Sequence, residues 1–169
     1  MTALRFVKSH AIDCYPGMGV LPDYVRAGAT LRVTAARPGV VNFELDIKKE
    51  HTNRLGILHG GTIASMVDLG GSLAVASRGL FATGVSTDLN VTYLSSGGKI
   101  GDKIFAEVVC DKFGKNLAYT SIKFYNDKNE IVARGSHTKY IALAFRDPQN
   151  IVEELKPASE SNGTSSGSS

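Results

Sequence analysis

The amino-acid sequence predicts an α+β domain in which a curled antiparallel sheet of five to six strands encloses one long buried helix. Residues 60–77 predict the helix, because they are apolar or small almost all round and contain Asp68 as their only charged side chain. A helix without a polar face is a buried helix. The segments on either side alternate between apolar and polar residues, as half-buried strands do. The connections between them are short, which favours antiparallel neighbours.

Two strands are expected before the helix, at residues 30–36 and 40–47, with an Arg-Pro-Gly turn between them. The second strand places four apolar side chains on one face, which are Val41, Phe43, Leu45 and Ile47. The helix is expected to end near Arg78 and Gly79, because glycine suits the C-terminal cap and arginine suits the negative end of the helix dipole.

Further strands are expected after the helix, at residues 86–93, 103–110, 117–125 and 131–142, with hairpin connections at 111–116 and 126–129. Strict alternation along the first of them predicts one face formed by Thr87, Leu89, Val91 and Tyr93. The opposite, polar face is then formed by Ser86, Asp88, Asn90 and Thr92.

Composition divides the chain into four parts. We expect an N-terminal arm or helix at 1–29, the folded domain at 30–142, a C-terminal extension at 143–156 and a disordered Ser/Gly tail at 157–169. The tail lacks the apolar residues that a packed core requires.

Charge and cysteine content narrow the class of function. The net charge is +3 and the lysines and arginines are scattered, so no nucleic-acid partner is expected. No apolar run is long and uniform enough to predict a membrane span. The two cysteines, Cys14 and Cys110, have no metal-ligand spacing, which argues for a reducing compartment and against a metal site. We expect a cytoplasmic location, with the mitochondrion as the alternative because residues 1–12 are basic and free of acids.

The start of the helix, His59-Gly60-Gly61, is a candidate oxyanion site. The first N–H groups of a helix have no internal acceptors and carry partial positive charge. Glycine lets a ligand approach this backbone, where a carbonyl oxygen would be stabilised during acyl transfer. Equally, the glycines could serve only tight packing where the chain enters the core.

Asp68 is a second candidate, but it lies nine residues beyond His59, which is about 13 Å along a helix. One histidine and one acid so placed cannot act on the same atom within one subunit. Either one of them is structural, or two copies of the chain share the site. The structural alternative for Asp68 is a carboxylate satisfied by Ser65 or Ser72 on its own helix.

Several other polar residues are ambiguous from the pattern alone. Ser86 begins a strand on its polar face, which is also expected of a solvated strand edge. Lysines at hairpin tips are usually solvated, and this applies to Lys99, Lys112 and Lys115. His137 lies in a polar strand context and has no metal-ligand spacing.

Taken together, ordered blocks of sequence resemble the hotdog-fold acyl-coenzyme A thioesterases. The blocks are His51-Thr52-Asn53, Leu58-His59-Gly60-Gly61, Asp68, the run from Gly84 to Asn90 and the run from Arg134 to Lys139. The resemblance covers about residues 30–140. It is strongest to the subgroup of the acyl-coenzyme A thioesterase 13 type, which is related to bacterial phenylacetate-pathway thioesterases.

The resemblance implies a hotdog fold, in which the sheet wraps the long helix, and a catalytic site at the interface of a homodimer. Dimers of this family commonly pair into homotetramers. The implied reaction is hydrolysis of acyl-coenzyme A to a carboxylic acid and coenzyme A. No separate cofactor is implied, because the coenzyme is part of the substrate.

The resemblance also implies roles for five residues of the shared site. One subunit would supply the N–H of Gly60 to polarise the thioester carbonyl, with Asn53 and His59 orienting the thioester. The other would supply Asp68 as the general base for water, or as a nucleophile that forms an anhydride, with Ser86 placing the water or the carboxylate.

Coenzyme contacts are implied on outer loops, at Tyr93, Ser95, Ser96, Lys99, Lys112, Gly114, Lys115, Asn116 and Tyr140. Lysines on short loops suit phosphate groups. Two alternatives to hydrolysis are a non-catalytic acyl-coenzyme A sensor or scaffold on the same fold and a hotdog dehydratase. Dehydratases of this fold use a histidine followed by Phe-Pro and a glutamate further along the helix, and neither feature occurs near His59.

Overall fold

The structure is a computed structural model that describes residues 2–7 and 31–155. Cys14, the predicted tail at 157–169 and most of the predicted N-terminal arm lie outside the described residues. The elements are β1 (Leu31–Arg37), β2 (Val40–Asp46), α1 (Gly60–Ala76), β3 (Val85–Tyr93), β4 (Lys103–Phe113), β5 (Leu117–Tyr125) and β6 (Ile131–Tyr140). Short 3₁₀ turns occur at Lys49–His51, Ala144–Arg146 and Glu153–Leu155.

The strands form one six-stranded antiparallel sheet in the order β1-β2-β4-β5-β6-β3. This is the predicted α+β, hotdog-like arrangement of a central helix and an antiparallel sheet. The sheet does not close into a barrel, so β1 and β3 are the edges of the sheet that the described strands form. β4 continues to Phe113, beyond the predicted end at residue 110, through a register shift between Cys110 and Lys112. The hairpin to β5 is therefore shorter than predicted.

Helix α1 packs against the sheet through small residues at the closest contact. A Cβ atom added to Gly70 would lie 2.9 Å from Ile122 and 3.1 Å from Phe43. Both of these side chains are buried in the core under the helix, and full burial of such a side chain contributes about 1.5–3 kcal/mol. No helix among the described residues is long and apolar enough to span a membrane.

Strand β3 contains a bulge that changes which side chains face the helix. Leu89 pairs with His137, but the register shifts between Ser86 and Asp88. Thr87 is the extra residue, and an extra residue reverses the alternation beyond it. Ser86 therefore faces the helix on the same side as Leu89, and the prediction that strict alternation separates these two residues is wrong.

The two edge strands differ in chemistry. At β1, Arg32 donates hydrogen bonds to Glu44 (2.7 Å) and Asp46 (2.6 Å) on β2. The guanidinium holds the pKa values of both carboxyl groups below their usual range. The β3 edge instead exposes apolar and aromatic side chains, including Val85 (61% exposed) and Tyr93 (51%). An unpaired edge with exposed apolar side chains is suited to pairing with another strand.

Residues beyond β6 pack over the C-terminal end of α1. The N–H of Ile151 donates to the carbonyl of Gly79 (2.8 Å), and the N–H of Phe81 donates to the side-chain oxygen of Asn150 (2.8 Å). Phe6, near the chain start, packs edge-on against Phe81 with ring centroids 6.5 Å apart. Both described ends of the chain therefore lie at the end of the helix that is opposite the predicted oxyanion site.

Candidate active site

The first turn of α1 leaves one backbone donor open. The N–H of Gly61 donates to Nδ1 of His59, the N-cap residue (2.8 Å). The N–H groups of Thr62 and Ile63 donate to the His59 carbonyl (2.9 and 3.2 Å). Of the first four helical N–H groups, only that of Gly60 has no acceptor within the described part of the chain. This is the donor that the sequence predicted for an oxyanion.

The hydrogen bond from Gly61 also selects the tautomer of the neutral His59 ring. Because Nδ1 accepts a hydrogen bond, the neutral ring carries its proton on Nε2. The His59 side chain is exposed, so this N–H can donate to a ligand at the helix start. The histidine therefore has two separate functions in the turn, as a helix cap and as a potential second donor.

Tyr93, the last residue of β3, lies against the same turn. Its hydroxyl donates to the Gly60 carbonyl (2.9 Å), and its ring would lie 3.3 Å from a Cβ atom on Gly60. A Cβ atom on Gly61 would lie 3.0 Å from His59 Nδ1. Packing of Tyr93 and His59 therefore accounts for both glycines. The Tyr93 hydroxyl contact differs from the coenzyme contact predicted for this residue.

The loop before the helix holds Asn53 near the helix start. The side-chain oxygen of Asn53 accepts hydrogen bonds from the N–H groups of Leu55 (2.9 Å) and Ile57 (3.3 Å). The loop is tied to the helix through buried His51, whose carbonyl accepts from the N–H of His59 (2.9 Å). Asn53 is exposed, and its amide nitrogen has no partner among the residues described, so this group can donate outward.

A second cluster forms around Asp68. The Ser86 hydroxyl donates to Asp68 Oδ1 (2.9 Å), and Nε2 of His137 lies 3.2 Å from the same oxygen and 2.9 Å from Ser86 Oγ. Both partners hold Oδ1, and Oδ2 has no partner in the described ranges. The Asp68 side chain is 41% exposed. One oxygen of the carboxylate is therefore anchored while the other is open to a water molecule.

The expectation that Ser65 or Ser72 satisfies the Asp68 carboxylate is wrong. The hydroxyl of Ser65 donates to the Gly61 carbonyl (2.9 Å) and that of Ser72 donates to the Asp68 carbonyl (3.1 Å). Neither hydroxyl bonds to the carboxylate, because serine side chains within a helix bond readily to the carbonyl four residues earlier. The carboxylate is instead held by residues of β3 and β6.

His137 is the site residue whose place in the cluster was missed at the sequence level. It is 1% exposed, and burial lowers the pKa of its ring, with the charge of Lys139 acting in the same direction and that of Asp68 opposing it. The ring is therefore neutral at neutral pH. Its buried Nδ1 has no partner among the described residues. A proton on Nε2 leaves Nδ1 as a bare acceptor and lets the ring donate to Asp68.

The close approach of His137 depends on Gly71 in α1. A Cβ atom on Gly71 would overlap Nδ1 of His137 and lie 2.8 Å from Thr120 Oγ1. The Gly70-Gly71 pair close to Asp68 is the one sequence feature that could have pointed to this approach. It indicates only that something packs closely there, because a glycine does not reveal which side chain fills its space.

The first group of predicted coenzyme residues lies at the entry to the helix. It comprises the loop after β3 with Ser95, Ser96 and Lys99. The N–H of Leu58 donates to the carbonyl of Gly98 in this loop (2.9 Å), and Ile57 pairs with Lys99 as an isolated β-bridge. This group is therefore close to the open N–H of Gly60.

The second group lies at the other end of β3. It comprises Lys112, Gly114, Lys115 and Asn116 of the β4–β5 hairpin, with Tyr140 next to them in β6. The N–H of Ile141 donates to the carbonyl of Asn116 (2.8 Å). Tyr140 pairs with Val85 at the start of β3, whereas Tyr93 at its end pairs with Ala133. A single subunit therefore does not bring the two groups together.

The buried thiol is chemically separate from these clusters. Cys110 is a free cysteine, and burial raises its pKa to about 11. A thiol with that pKa is protonated at neutral pH and is a poor nucleophile.

The backbone N–H of Gly60 and Oδ2 of Asp68, one in each cluster, remain open among the residues that the structure describes. An open backbone donor and an open carboxylate oxygen are the components of acyl transfer to water.

Comparison with known proteins defines the family. Residues 55–133 match the model of the thioesterase superfamily. A Schizosaccharomyces pombe protein whose name assigns it provisionally to the esterases is 49% identical over 123 residues, which covers 73% of this chain and 76% of that protein. Acyl-coenzyme A thioesterase 13 of Homo sapiens is 37% identical over 120 residues, covering 70% of this chain and 85% of the relative. The chain belongs to the thioesterase superfamily.

A solved structure of the same superfamily agrees with this assignment over a longer region. Thioesterase superfamily member 2 from Mus musculus superposes with a TM-score of 0.70 at 29% identity, covering 83% of this chain and 98% of that structure. The similarity therefore includes the sheet and the helix that position both clusters.

Proposed function

We propose that the protein hydrolyses acyl-coenzyme A thioesters at sites shared between two copies of the chain. The observation that carries this proposal is the Asp68 carboxylate, which Ser86 and His137 hold through one oxygen while the other oxygen stays open. The open N–H of Gly60 is the complementary group for the substrate carbonyl. The relationship to acyl-coenzyme A thioesterase 13 supports the substrate class.

In the proposed reaction the thioester oxygen accepts a hydrogen bond from the N–H of Gly60, with Asn53 and the Nε2–H of His59 as further donors. Asp68 Oδ2 removes a proton from a water molecule while the oxygen of that water bonds to the thioester carbon. The carbon–sulfur bond then breaks, and the proton on Asp68 passes to the departing coenzyme thiolate. Ser86 and neutral His137 keep the carboxylate oriented throughout.

The same carboxylate could instead attack the thioester directly. That route forms a mixed anhydride on Asp68, which water then hydrolyses. A single turnover in ¹⁸O-labelled water separates the general-base route from an anhydride that water opens at the Asp68 carboxyl carbon. Opening at that carbon places the heavy oxygen in the Asp68 side chain and an unlabelled Asp68 oxygen in the product acid, whereas direct attack of water on the thioester places the heavy oxygen only in the product acid.

Pairing through the β3 edge explains how the two clusters meet. Gly60 and Asp68 are separated by about 12 Å along α1 of one subunit. An antiparallel pairing of two β3 strands about a two-fold axis sets the start of one strand beside the end of the other. The Asp68 cluster of one subunit then faces the helix start of its partner, and the two coenzyme groups meet in the same way. Pairing of dimers into a tetramer is the further arrangement we propose.

Thiol release from a panel of acyl-coenzyme A substrates tests the activity. We expect turnover by the wild-type protein, with the best acyl group defining the substrate. Tight binding of acyl-coenzyme A without turnover on any member of the panel would instead assign the chain as a sensor. The binding measurement is therefore made on the same panel by calorimetry.

Mixing inactive subunits tests the shared site. Asp68→Asn removes the acid from one half of the proposed site, and the double substitution Asn53→Ala with His59→Ala removes both side-chain donors from the other half. Random exchange of the two variants makes half of all dimers mixed, and each mixed dimer contains one intact site, so about a quarter of wild-type activity should return. A site contained within one subunit would recover nothing, because every copy would still carry one defect.

We also propose a cytosolic location, with the mitochondrion as the alternative. The proposal is supported by the free thiol of Cys110, since structural disulfides are typical of oxidising compartments. Imaging of the tagged protein with the tag at the C-terminus tests it, because that placement leaves the basic N-terminal residues unmodified.

A further inference from the structure

The peptide group between Gly60 and Gly61 is held from both sides. Its carbonyl accepts a hydrogen bond from the Tyr93 hydroxyl (2.9 Å), and its N–H donates to His59 Nδ1 (2.8 Å). The first turn of a helix is usually its least constrained part, since its N–H groups lack helical partners. Here the second peptide of the helix is fixed by two side chains, one of which belongs to the sheet.

Tyr93 is well placed to fix this turn because its own backbone is part of the sheet. It closes β3 and pairs with Ala133 on β6. Its side chain packs tightly against the position that a Cβ atom of Gly60 would take, with two ring carbons and the hydroxyl oxygen 3.3 Å from it. The ring therefore sets the distance between strand and helix, while the hydroxyl sets the rotation of the Gly60 carbonyl.

We propose that Tyr93 is a positioning residue that orients the Gly60 N–H toward the substrate carbonyl oxygen. This inference rests on the proposed thioester hydrolysis. The N–H and the carbonyl of Gly60 are attached to the same Cα atom, so fixing one peptide plane restricts the other. Oxyanion stabilisation depends on donors that are already oriented before the charge develops, and small misplacements of such groups reduce rates strongly.

The alternative role for Tyr93 is the coenzyme contact predicted from the sequence. The two roles differ in kinetics. A contact made equally in the ground state and the transition state changes KM and leaves kcat unchanged, whereas a group that acts only as the oxyanion forms changes kcat. The phenol cannot donate its single proton to Gly60 and to a phosphate at the same time.

The test is Tyr93→Phe, which keeps the ring against Gly60 and removes only the hydroxyl. We expect kcat to fall about 3- to 10-fold, the range of one lost neutral hydrogen bond, with KM for acyl-coenzyme A unchanged within about twofold. The matched control is Tyr119→Phe on β5, whose side chain is also partly exposed (41%) and lies outside both clusters. Its kcat and KM should equal those of the wild-type protein.

A second measurement is independent of turnover. In ¹H–¹⁵N spectra, Tyr93→Phe should shift the amide signals of Gly60 and Gly61, and Tyr119→Phe should not. An unchanged kcat in Tyr93→Phe, or a raised KM alone, would overturn the positioning role while leaving the hydrolase intact. If the wild-type protein hydrolyses no thioester, the proposed function fails, and the amide shifts alone decide whether the hydroxyl holds the helix start.

Discussion

The two halves of the candidate site are built in opposite ways. The helix start is formed by consecutive residues, in which His59 caps the turn and leaves the backbone N–H of Gly60 open. The Asp68 cluster joins three elements, with the acid on α1, Ser86 on β3 and His137 on β6. The first half depends mainly on local backbone geometry, with Tyr93 of β3 as a support from the sheet, and the second depends on side chains that meet only in the folded protein.

This difference predicts how each half responds to mutation. A side-chain substitution cannot remove a backbone donor and can only displace it, so the helix start should lose activity gradually. A carboxylate can be removed by a single substitution, and its supporting residues can be removed one by one. The largest effects are therefore expected in the Asp68 cluster, in an order determined by how far each substitution removes or displaces the carboxylate.

Asp68→Asn should produce the largest loss. The amide has nearly the same shape but cannot accept a proton from water, so kcat should fall by about 10²- to 10⁴-fold, the usual contribution of a general base. The affinity for acyl-coenzyme A, measured by calorimetry, should stay near that of the wild-type protein. A variant that retains turnover would show that the carboxylate is structural and would remove the contrast between the two halves.

Gly71→Ala should cause the next largest loss. The added methyl group overlaps the His137 ring, and overpacking costs about 1–3 kcal/mol, which exceeds the gain in helix propensity of about 1 kcal/mol at most. We expect a lower Tm and a kcat reduced by about tenfold or more, because His137 must move away from Asp68.

Gly70→Ala is the matched control for this variant. Its methyl group would meet apolar atoms of Ile122 and Phe43 instead of the histidine, so it should lower the Tm with little change in kcat. If both variants lose activity to the same extent, general loosening of the helix is responsible, and the close contact between Gly71 and His137 has no separate role.

Ser86→Ala should have a smaller effect. Removing the hydroxyl takes away one hydrogen bond to Asp68 Oδ1 and leaves His137 as the second partner. A kcat reduced by about 3- to 10-fold is expected, because a hydrogen bond to a charged carboxylate contributes about 1.5–3 kcal/mol and His137 retains part of that support. Steady-state kinetics of Ser86→Ala and Ser86→Thr, which restores a hydroxyl, provide the check. An Ala variant as slow as Asp68→Asn would make the hydroxyl itself essential.

The pH dependence of stability should show the smallest effect. Burial lowers the pKa of His137 below its ordinary value of 6.5, so below about pH 6.5 the unfolded chain binds more protons than the folded one. The stabilisation from the neutral ring is therefore complete above that pH and is lost as the pH falls toward the folded pKa, with a slope of at most about 1.4 kcal/mol per pH unit.

Comparison of Tm between pH 8 and pH 5 for the wild-type protein and His137→Gln tests this expectation. The wild-type Tm should fall more steeply below about pH 6.5. Parallel curves for the two proteins would mean that the His137 ring is not the group responsible for the pH dependence of stability.

Much of the site could be predicted from the sequence, but the helix start was more predictable than the Asp68 cluster. The helix start was predicted from adjacent residues, since a histidine before two glycines and an apolar helix is a local pattern. Asp68 stands out in the sequence because it is the single charge within that helix. His137 does not stand out in this way, because one histidine in a polar strand does not indicate what lies across from it. The alternation along β3 also did not predict that Ser86 faces the helix, although the family resemblance implied Ser86 as a site residue.

The sequence by itself determined the elements and, apart from the bulged start of β3, which residues share a face, because the period of apolar residues is a local property of helices and strands. Only the tertiary structure decided which polar groups meet. The bulge at Thr87 turns Ser86 toward the helix, and the missing side chain of Gly71 admits the His137 ring. A one-residue change in register moves a side chain to the other face of a sheet. Local alternation cannot reveal such a change, because a bulge is defined by how the strand pairs with its neighbour.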